Sequence, residues 1–177
     1  TDLANLKTNG KLRGRALNKV EIQALMDSCV GHKPIDVRDA ALIAILRGGG
    51  LRRAELVNLN LVDYHPHLLR LDIIKGKGDK DRMVYLPQEA ISLINRWVKL
   101  RGQKNGPLIC SVNRGGNVQE RRLSTDGVLK IVRARAKKAG LESFTPHDFR
   151  RTFCSDLLDA GVDIVTVQRL AGHASPV

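Results

Sequence analysis

The chain has 177 residues, of which 30 are Lys or Arg and 18 are Asp or Glu, and its formal net charge at pH 7 is +12. This length, with a 42% content of hydrophobic residues, indicates a single globular domain with a hydrophobic core. The positive charge suits a polyanionic partner, although composition alone leaves an ordinary basic soluble protein equally open. Aromatic residues make up only 3%, which disfavours base stacking as the main binding mode, so contacts with duplex phosphates fit better.

The three cysteines, Cys29, Cys110 and Cys154, are widely spaced and lie in apolar runs. No histidine stands at zinc-binding distance along the chain from a cysteine pair, so we expect buried thiols and no metal site. The sequence contains neither a signal-peptide pattern nor an apolar run long enough to cross a membrane. We therefore expect a cytoplasmic protein without a membrane partner.

Residues 1–16 are polar and predict a linker or arm. An arm that lies along DNA and a plain disordered tail are equally compatible with this composition. Because the sequence starts at Thr1 without an initiator methionine, we expect upstream protein to have been removed. The first helix is predicted to begin at Asn18, where Glu21 completes a capping box.

A second helix is predicted over residues 37–47 with Asp36 as its cap. Its 40–46 stretch is apolar nearly all round, which is typical of a helix in the middle of a domain. Glycines 48–50 end this helix, and Arg52 follows immediately before another short helix. An arginine between a glycine-rich break and a buried helix is held in place; a solvated arginine at a helix start is the alternative.

Two strand-like runs, 67–74 and 81–87, flank Lys75-Gly76-Lys77-Gly78-Asp79-Lys80 and predict a β-hairpin. The glycines on either side of Lys77 free the backbone to approach a ligand closely. The turn is then either a lysine finger that enters a DNA groove or a mobile basic turn. We assign Tyr85 to the second strand and Tyr64 to the turn before the hairpin, both with packing roles.

Further helices are predicted from Pro87 to Gly102 and from Ser124 or Thr125 to Gly140, with a short extended piece over residues 107–111 between them. Basic residues of the second of these helices either follow a DNA backbone or are simply solvated. The elements are therefore mainly helical, with one small antiparallel β-hairpin. This order predicts an α+β fold, because strands do not alternate with helices along the chain.

The segment Thr145-Pro146-His147-Asp148-Phe149-Arg150-Arg151 predicts another helix start. Thr145 is suited to the N-cap, Pro146 to the first helical position and Asp148 to the capping box, while Phe144 and Phe149 are placed to form a hydrophobic staple. His147 then lies in the first turn, where an anion is favoured, and shares a face with Arg150, whereas Arg151 is rotated away. This arrangement indicates phosphate chemistry.

The last predicted helix covers residues 164–171 and is capped by Asp163. Gly172-His173 ends it, and Ser175-Pro176 then provides a new helix-start signal just before the sequence stops.

Taken together, these residues resemble the C-terminal catalytic domain of the tyrosine recombinase (phage integrase) family. Four features match in order from about Leu17 to the end of the chain: Gly50-Leu51-Arg52-x-x-Glu55-Leu56, Gly76-Lys77-Gly78, His147-x-x-Arg150 followed by Arg151-Thr152-Phe153, and Leu170-Ala171-Gly172-His173. Each motif is weak alone, whereas four at compatible spacing are specific.

The resemblance implies roles for individual residues. Arg52 and Arg150 correspond to the two arginines that hold the non-bridging oxygens of the scissile phosphate, a task that suits bidentate guanidinium groups. Lys77 corresponds to the hairpin lysine that protonates the departing 5′-oxygen. His147 corresponds to a residue that assists proton transfer, and His173 to the second histidine on the phosphate. The supporting residues are Glu55, which is expected to be structural, Asp148 as a helix cap, and Arg151 for the DNA backbone or packing.

The resemblance also implies an enzyme without a metal ion or other cofactor that acts on double-stranded DNA. In this family a tyrosine attacks the phosphate, and a 3′-phosphotyrosyl link and a free 5′-hydroxyl result. When full length, such a protein is expected to work with other copies of itself in a tetrameric synapse on DNA.

The family nucleophile follows the second histidine on the next helix, whereas Tyr64 and Tyr85 lie far upstream of that position. We therefore expect residues 17–177 to be a catalytic domain truncated before its nucleophile, and inactive in cleavage as it stands. The N-terminal core-binding domain usual in the family is expected to be absent too.

Two alternatives remain open. A non-catalytic DNA-binding regulator could retain the fold, although simple binding has no need for Arg52, Lys77, His147, Arg150 and His173 together. A type IB topoisomerase shares the chemistry, but the small size and the Leu170-Ala171-Gly172-His173 motif favour a recombinase.

Overall fold

A computed structural model describes residues 15–75 and 80–172, which form seven α-helices and five short strands. Two 3-10 turns, Leu61–Asp63 and Pro66–Leu68, flank the first strand. The predicted α+β class is confirmed. In chain order the elements are α1 (Lys19–Asp27), α2 (Pro34–Gly49), α3 (Arg53–Asn58), β1 (Tyr64–His65), β2 (Arg70–Ile73), β3 (Arg82–Tyr85), α4 (Gln88–Arg101), β4 (Cys110–Val112), β5 (Val118–Arg122), α5 (Thr125–Lys138), α6 (Pro146–Asp159) and α7 (Ile164–Leu170).

Helix α2 lies at the centre of the domain, as its apolar sequence predicts. Every residue from 37 to 46 is buried, and the helix packs mainly against α4 and α6. Trp97 of α4 is fully buried and donates its indole N–H to the carbonyl of Leu108 at 2.7 Å. The central helix is therefore covered on several sides, and it packs against α6.

The start of α2 differs from the sequence prediction. The helix begins at Pro34, with Lys33 as its N-cap, and Asp36 lies inside the first turn. The proline has the backbone angle suited to a first helical position, so it starts the helix. The Asp36 carboxylate is engaged instead by Arg135 of α5, with Nη2 and Oδ1 2.8 Å apart.

Strands β1, β2 and β3 form one antiparallel sheet in that order, and β4 pairs with β5 in a second. The predicted hairpin is β2–β3, in which Leu71 lies opposite Val84. Strands β1 and β5 were not predicted from the sequence.

Tyr64 differs from its predicted placement, and Tyr85 differs from its predicted role. Tyr64 belongs to strand β1, where its side chain is buried and its hydroxyl donates to Oδ1 of Asn95 at 2.7 Å. Tyr85 does lie on β3, but its side chain is 64% exposed, so the packing role predicted for it is wrong. In β3 the alternation of the strand turns Met83 and Tyr85 outward and Val84 inward.

The segment before α1 is attached to α6. The predicted capping box is present, because Asn18 accepts the N–H of Glu21 at 2.8 Å and Glu21 accepts that of Asn18. Leu17 donates its N–H to Oγ1 of Thr152 at 2.8 Å, and the Arg15 guanidinium lies 5.9 Å from the centre of the Phe144 ring. These contacts hold the beginning of α6 in place.

The three cysteines are buried, as predicted, and burial raises the pKa of both Cys29 and Cys110. None of the helices formed by residues 15–75 and 80–172 is long and apolar enough to span a membrane.

Candidate active site

Helix α6 starts with the local interactions that its sequence predicts. Thr145 is the N-cap, Pro146 is the first helical residue, and Oδ2 of Asp148 accepts the Thr145 N–H at 2.7 Å. Phe144 and Phe149 meet edge to face, with ring centroids 5.5 Å apart, so the hydrophobic staple is present. These interactions fix the helix turn that carries His147 and Arg150.

Asp148 is 1% exposed and does more than cap its helix. Its Oδ1 accepts both the backbone N–H of Arg15 and a guanidinium N–H of Arg151, each at 3.0 Å. The carboxylate therefore joins the chain before α1 to α6, and in this structure Arg151 is occupied by an internal ion pair.

Arg150 connects the two arginine motifs found in the sequence. Its side chain is fully buried, and its Nη1 donates to the carbonyl oxygen of Gly50 at 2.8 Å. Gly50 caps the end of α2 with a φ of +64°, and a Cβ at this position would overlap the Phe153 ring of α6. Only glycine therefore allows this close approach of the two segments. Contact between Arg150 and a bound phosphate requires displacement of the groups that cover it.

Arg52 follows two residues after the Gly50 carbonyl and is the N-cap of α3. Its backbone N–H donates to Oε1 of Glu55 at 2.9 Å, which fixes the start of the helix, and its side chain is partly buried. Within the described part of the chain, the ion pairs involve other arginines and leave the Arg52 guanidinium without an acidic partner. A partly buried cation of this kind favours an anion from outside.

Glu55 is a buried carboxylate held by cations from the β-hairpin. Arg82 of β3 donates to both of its oxygens, with Nη2 and Oε1 3.1 Å apart, and Lys75 Nζ lies 2.5 Å from Oε2. Burial by itself raises the pKa of this carboxyl group, but the hydrogen bonds from Arg82 and Lys75 outweigh it and lower the pKa to about 2. Glu55 is thus ionised at neutral pH and joins the hairpin to the Arg52 segment.

Sequence reasoning missed Arg82 and Lys75 as members of this cluster. The available signal was the period of two in β3, where Arg82 shares the inward face with buried Val84. An arginine on the inward face of a strand needs hydrogen-bond acceptors, and a carboxylate also balances its charge. The identity of that partner, 27 residues earlier in the chain, follows only from the fold.

His147 is the second residue of α6 and is partly buried, one helical turn before Arg150. Lys77 and His173 lie outside the described residues. Lys75, two residues before Lys77, pairs with Glu55. Gly172, directly before His173, lies against Arg82. The structure therefore brings together Arg52, Glu55 and Arg150, with His147 beside them on α6.

Electrostatically, this region has an excess of positive charge. The carboxylates of Glu55 and Asp148 are both paired with basic side chains, and Arg52 and Arg150 add two further guanidinium groups. The described residues contain no cluster of three His, Cys, Asp or Glu side chains able to hold a metal ion. Chemically, the arrangement is suited to binding and activating a phosphate.

The phage integrase family matches residues 15–176 of this sequence, which is nearly the whole chain. The chain belongs to the phage integrase family. The resemblance seen in the motifs is thereby confirmed, and the architecture described above is the fold of a tyrosine recombinase catalytic domain.

Among the relatives, tyrosine recombinase XerC of Leptospira interrogans is 41% identical over 143 residues, which are 79% of this chain and 44% of that protein. The crystal structure of XerA recombinase superposes with a TM-score of 0.78 at 30% identity, covering 90% of this chain and 56% of the other. The XerH site-specific recombinase bound to its difH substrate in a pre-cleavage complex has a TM-score of 0.69 at 31% identity, over 90% of this chain and 47% of the other. The chain thus spans about half the length of the relatives it matches.

Proposed function

We propose that this chain is the catalytic part of a site-specific DNA recombinase that breaks and rejoins DNA through a 3′-phosphotyrosyl intermediate. The observation that carries the proposal is the hydrogen bond from Arg150 to the Gly50 carbonyl. It places the α6 motif, with His147, against the segment that leads directly to Arg52. Relatives at 41% and 31% identity that are named recombinases support the same conclusion.

In this proposal Arg52 and Arg150 bind the two non-bridging oxygens of the scissile phosphate. Their charge stabilises the transition state, in which negative charge grows on those oxygens. His147, at the start of α6, assists proton transfer beside them. Lys77 protonates the leaving 5′-oxygen and His173 contacts the phosphate, roles that rest on the family resemblance.

We propose that the nucleophilic tyrosine lies beyond Val177, and that this chain alone does not cleave DNA. Burial raises the pKa of Tyr64 to about 12, and its hydroxyl is bonded to Asn95, so it is a poor nucleophile. Tyr85 is exposed on the face of β3 opposite to inward-facing Val84. Both observations argue against either tyrosine as the nucleophile.

Double-stranded DNA is the proposed substrate, and other copies of the protein are the proposed partners in a tetrameric synapse. The net charge of +12 suits a duplex, and the XerH structure at 31% identity contains a recombinase on its DNA site. Both partners are proposed for the whole protein, because the chain spans only about half the length of the relatives it matches.

The roles of the cations can be separated with a protein that extends past Val177 into its natural downstream residues. Lys77→Ala should slow cleavage by roughly 10²–10⁴-fold and leave DNA binding nearly unchanged, because a general acid acts only in the reaction. A substrate with sulfur in place of the bridging 5′-oxygen has a leaving group that needs no proton. It should restore most of the rate to Lys77→Ala, but not to Arg52→Ala or Arg150→Ala, which act on the non-bridging oxygens.

Equal restoration of all three variants, or of none, would contradict the assignment of Lys77. DNA binding by the extended protein without any cleavage would instead favour the regulator that retains the fold.

A further inference from the structure

The contacts of Arg82 reach further than its ion pair with Glu55. Its side chain projects from the inward face of β3 and is only 11% exposed. One edge of the guanidinium donates to both oxygens of Glu55. Nothing in the proposed chemistry so far uses this arginine.

The remaining surface of the Arg82 guanidinium lies against Gly172, at the end of α7. Gly172 has a φ of +75°, and a Cβ added there would lie 2.5 Å from Nη1 and 2.6 Å from Cζ of Arg82. Real Cβ atoms do not approach other atoms this closely, so the backbone of Gly172 rests directly on the guanidinium. Glycine is required here for two reasons, the positive φ and the absence of a side chain.

We propose that Arg82 is a positioning residue of the active site. Its guanidinium lies between the turn that ends α7 and the Glu55 carboxylate, which also accepts the Arg52 N–H. In the sequence this turn leads directly into His173. Arg82 thereby sets the distance between the Arg52 segment, the β-hairpin and the α7 turn. This inference rests on the proposed function, because it concerns the assembly of that same site.

Arginine is suited to this role in a way that lysine is not. The planar guanidinium donates from one edge to both oxygens of a carboxylate and presents a flat face to a backbone. The Lys75 ammonium contributes charge to the same carboxylate through a single atom, Nζ, 2.5 Å from Oε2. Removal of Arg82 therefore removes the support of the turn even though Glu55 keeps a cation.

The contact between Arg82 and Gly172 can be tested by a double-mutant cycle in the 177-residue protein. The urea midpoints of the unmutated protein, Gly172→Ala, Arg82→Ala and the double variant are compared. Gly172→Ala should lower the urea midpoint clearly when Arg82 is present, and less in the Arg82→Ala background. Without the Arg82 side chain the added methyl group has room, whereas the backbone strain is the same in both backgrounds. Equal shifts in both backgrounds would overturn the proposed contact.

The positioning role is tested by cleavage of a nicked duplex with the protein extended past Val177. Arg82→Gln should lower the single-turnover cleavage rate by about 100-fold with unchanged DNA affinity, since misplacing reacting groups by about 1 Å has this effect. Arg82→Lys should recover part of the loss. The matched control is Arg70→Gln, because Arg70 lies on the adjacent strand and pairs with Asp72, with Nε and Oδ1 2.9 Å apart, rather than with Glu55.

The outcomes are distinct. If Arg82→Gln cleaves as well as Arg70→Gln, or loses DNA affinity in proportion to its rate, Arg82 is not a positioning residue and the proposed function stands. If the unmutated extended protein binds DNA but does not cleave it, the proposed function fails and this inference falls with it.

Discussion

At the scale of single residues, the candidate site depends on the carboxylate of Glu55. It accepts the Arg52 N–H and pairs with Arg82 and Lys75, three groups from different parts of the chain. A buried carboxylate is tolerated only when its charge is balanced and its oxygens are hydrogen-bonded, and both conditions are met here. Glu55 therefore links the Arg52 segment to the β-hairpin.

The low pKa of Glu55 predicts a specific dependence of stability on pH. Because its pKa falls from the ordinary 4.5 to about 2 on folding, the ionised group stabilises the folded state by up to about 3 kcal/mol above pH 4.5. This contribution should be lost as the pH falls from about 4.5 to about 2. Urea unfolding should be measured from pH 7 down to pH 2. At pH 7 Glu55→Gln should be much less stable than the unmutated protein, and the difference in unfolding free energy should shrink as the pH falls.

Glu120→Gln is the control for that measurement. Glu120 pairs with Lys104 at 2.8 Å on the surface, where its side chain is 70% exposed, and such pairs contribute little. Its substitution should not alter the pH dependence. If the difference in unfolding free energy between Glu55→Gln and the unmutated protein stays constant down to pH 2, the pKa of Glu55 is not lowered by folding.

At the scale of the elements, the junction between the end of α2 and α6 assembles the site. Gly50 combines a positive φ with contact to the Phe153 ring, and its carbonyl binds Arg150. Gly140 supplies a matched comparison, because its φ is +71° and an added Cβ would meet nothing within 4 Å.

Gly140→Ala should therefore lower the unfolding free energy by about 1–2 kcal/mol, through backbone strain alone. Gly50→Ala should show a further loss of about 1–3 kcal/mol from overpacking against Phe153. Chemical denaturation of the two variants at neutral pH measures this difference. Equal losses would mean that α6 can move away from Gly50 without cost.

How far the sequence predicts these elements depends on how local their causes are. The starts of α1 and α6 were predicted because capping boxes and the Phe144–Phe149 staple involve neighbours in the sequence. The cap at Asp36 was predicted wrongly, since its carboxylate binds Arg135, 99 residues away. Strand β5, Val-Gln-Glu-Arg-Arg, has little apolar alternation and exists through its pairing with β4.

The candidate site divides in the same way. Motif spacing named Arg52, Glu55, His147 and Arg150 as candidates, and the fold places them on adjoining segments. The ion pairs of Glu55 with Arg82 and Lys75 join positions 20 or more residues apart, and no local pattern specifies them.

At the scale of the whole molecule, the excess of basic residues favours binding to a polyanion. Several lysines and arginines of α5 are exposed, among them Lys130, Arg133 and Lys137. We expect the 177-residue chain to bind duplex DNA weakly and with little sequence preference, because the net charge of +12 acts on phosphates alone.

Titration of a labelled duplex at several salt concentrations measures this binding. The log–log slope should be about −0.9 for each phosphate neutralised, so the affinity should fall steeply with salt. A duplex of unrelated sequence serves as the control and should behave alike. An affinity that does not change with salt would contradict an electrostatic mode of binding.

We propose that this domain activates a DNA phosphate for a tyrosine beyond Val177, and covalent capture on a nicked suicide duplex tests this activation. On denaturing gels, the protein extended by its natural downstream residues should give a protein–DNA adduct that Arg52→Ala and Arg150→Ala abolish, and the 177-residue chain should give none. An adduct formed by the 177-residue chain and lost on Tyr64→Phe or Tyr85→Phe would contradict this mechanism. DNA binding by the extended protein without an adduct would contradict it too.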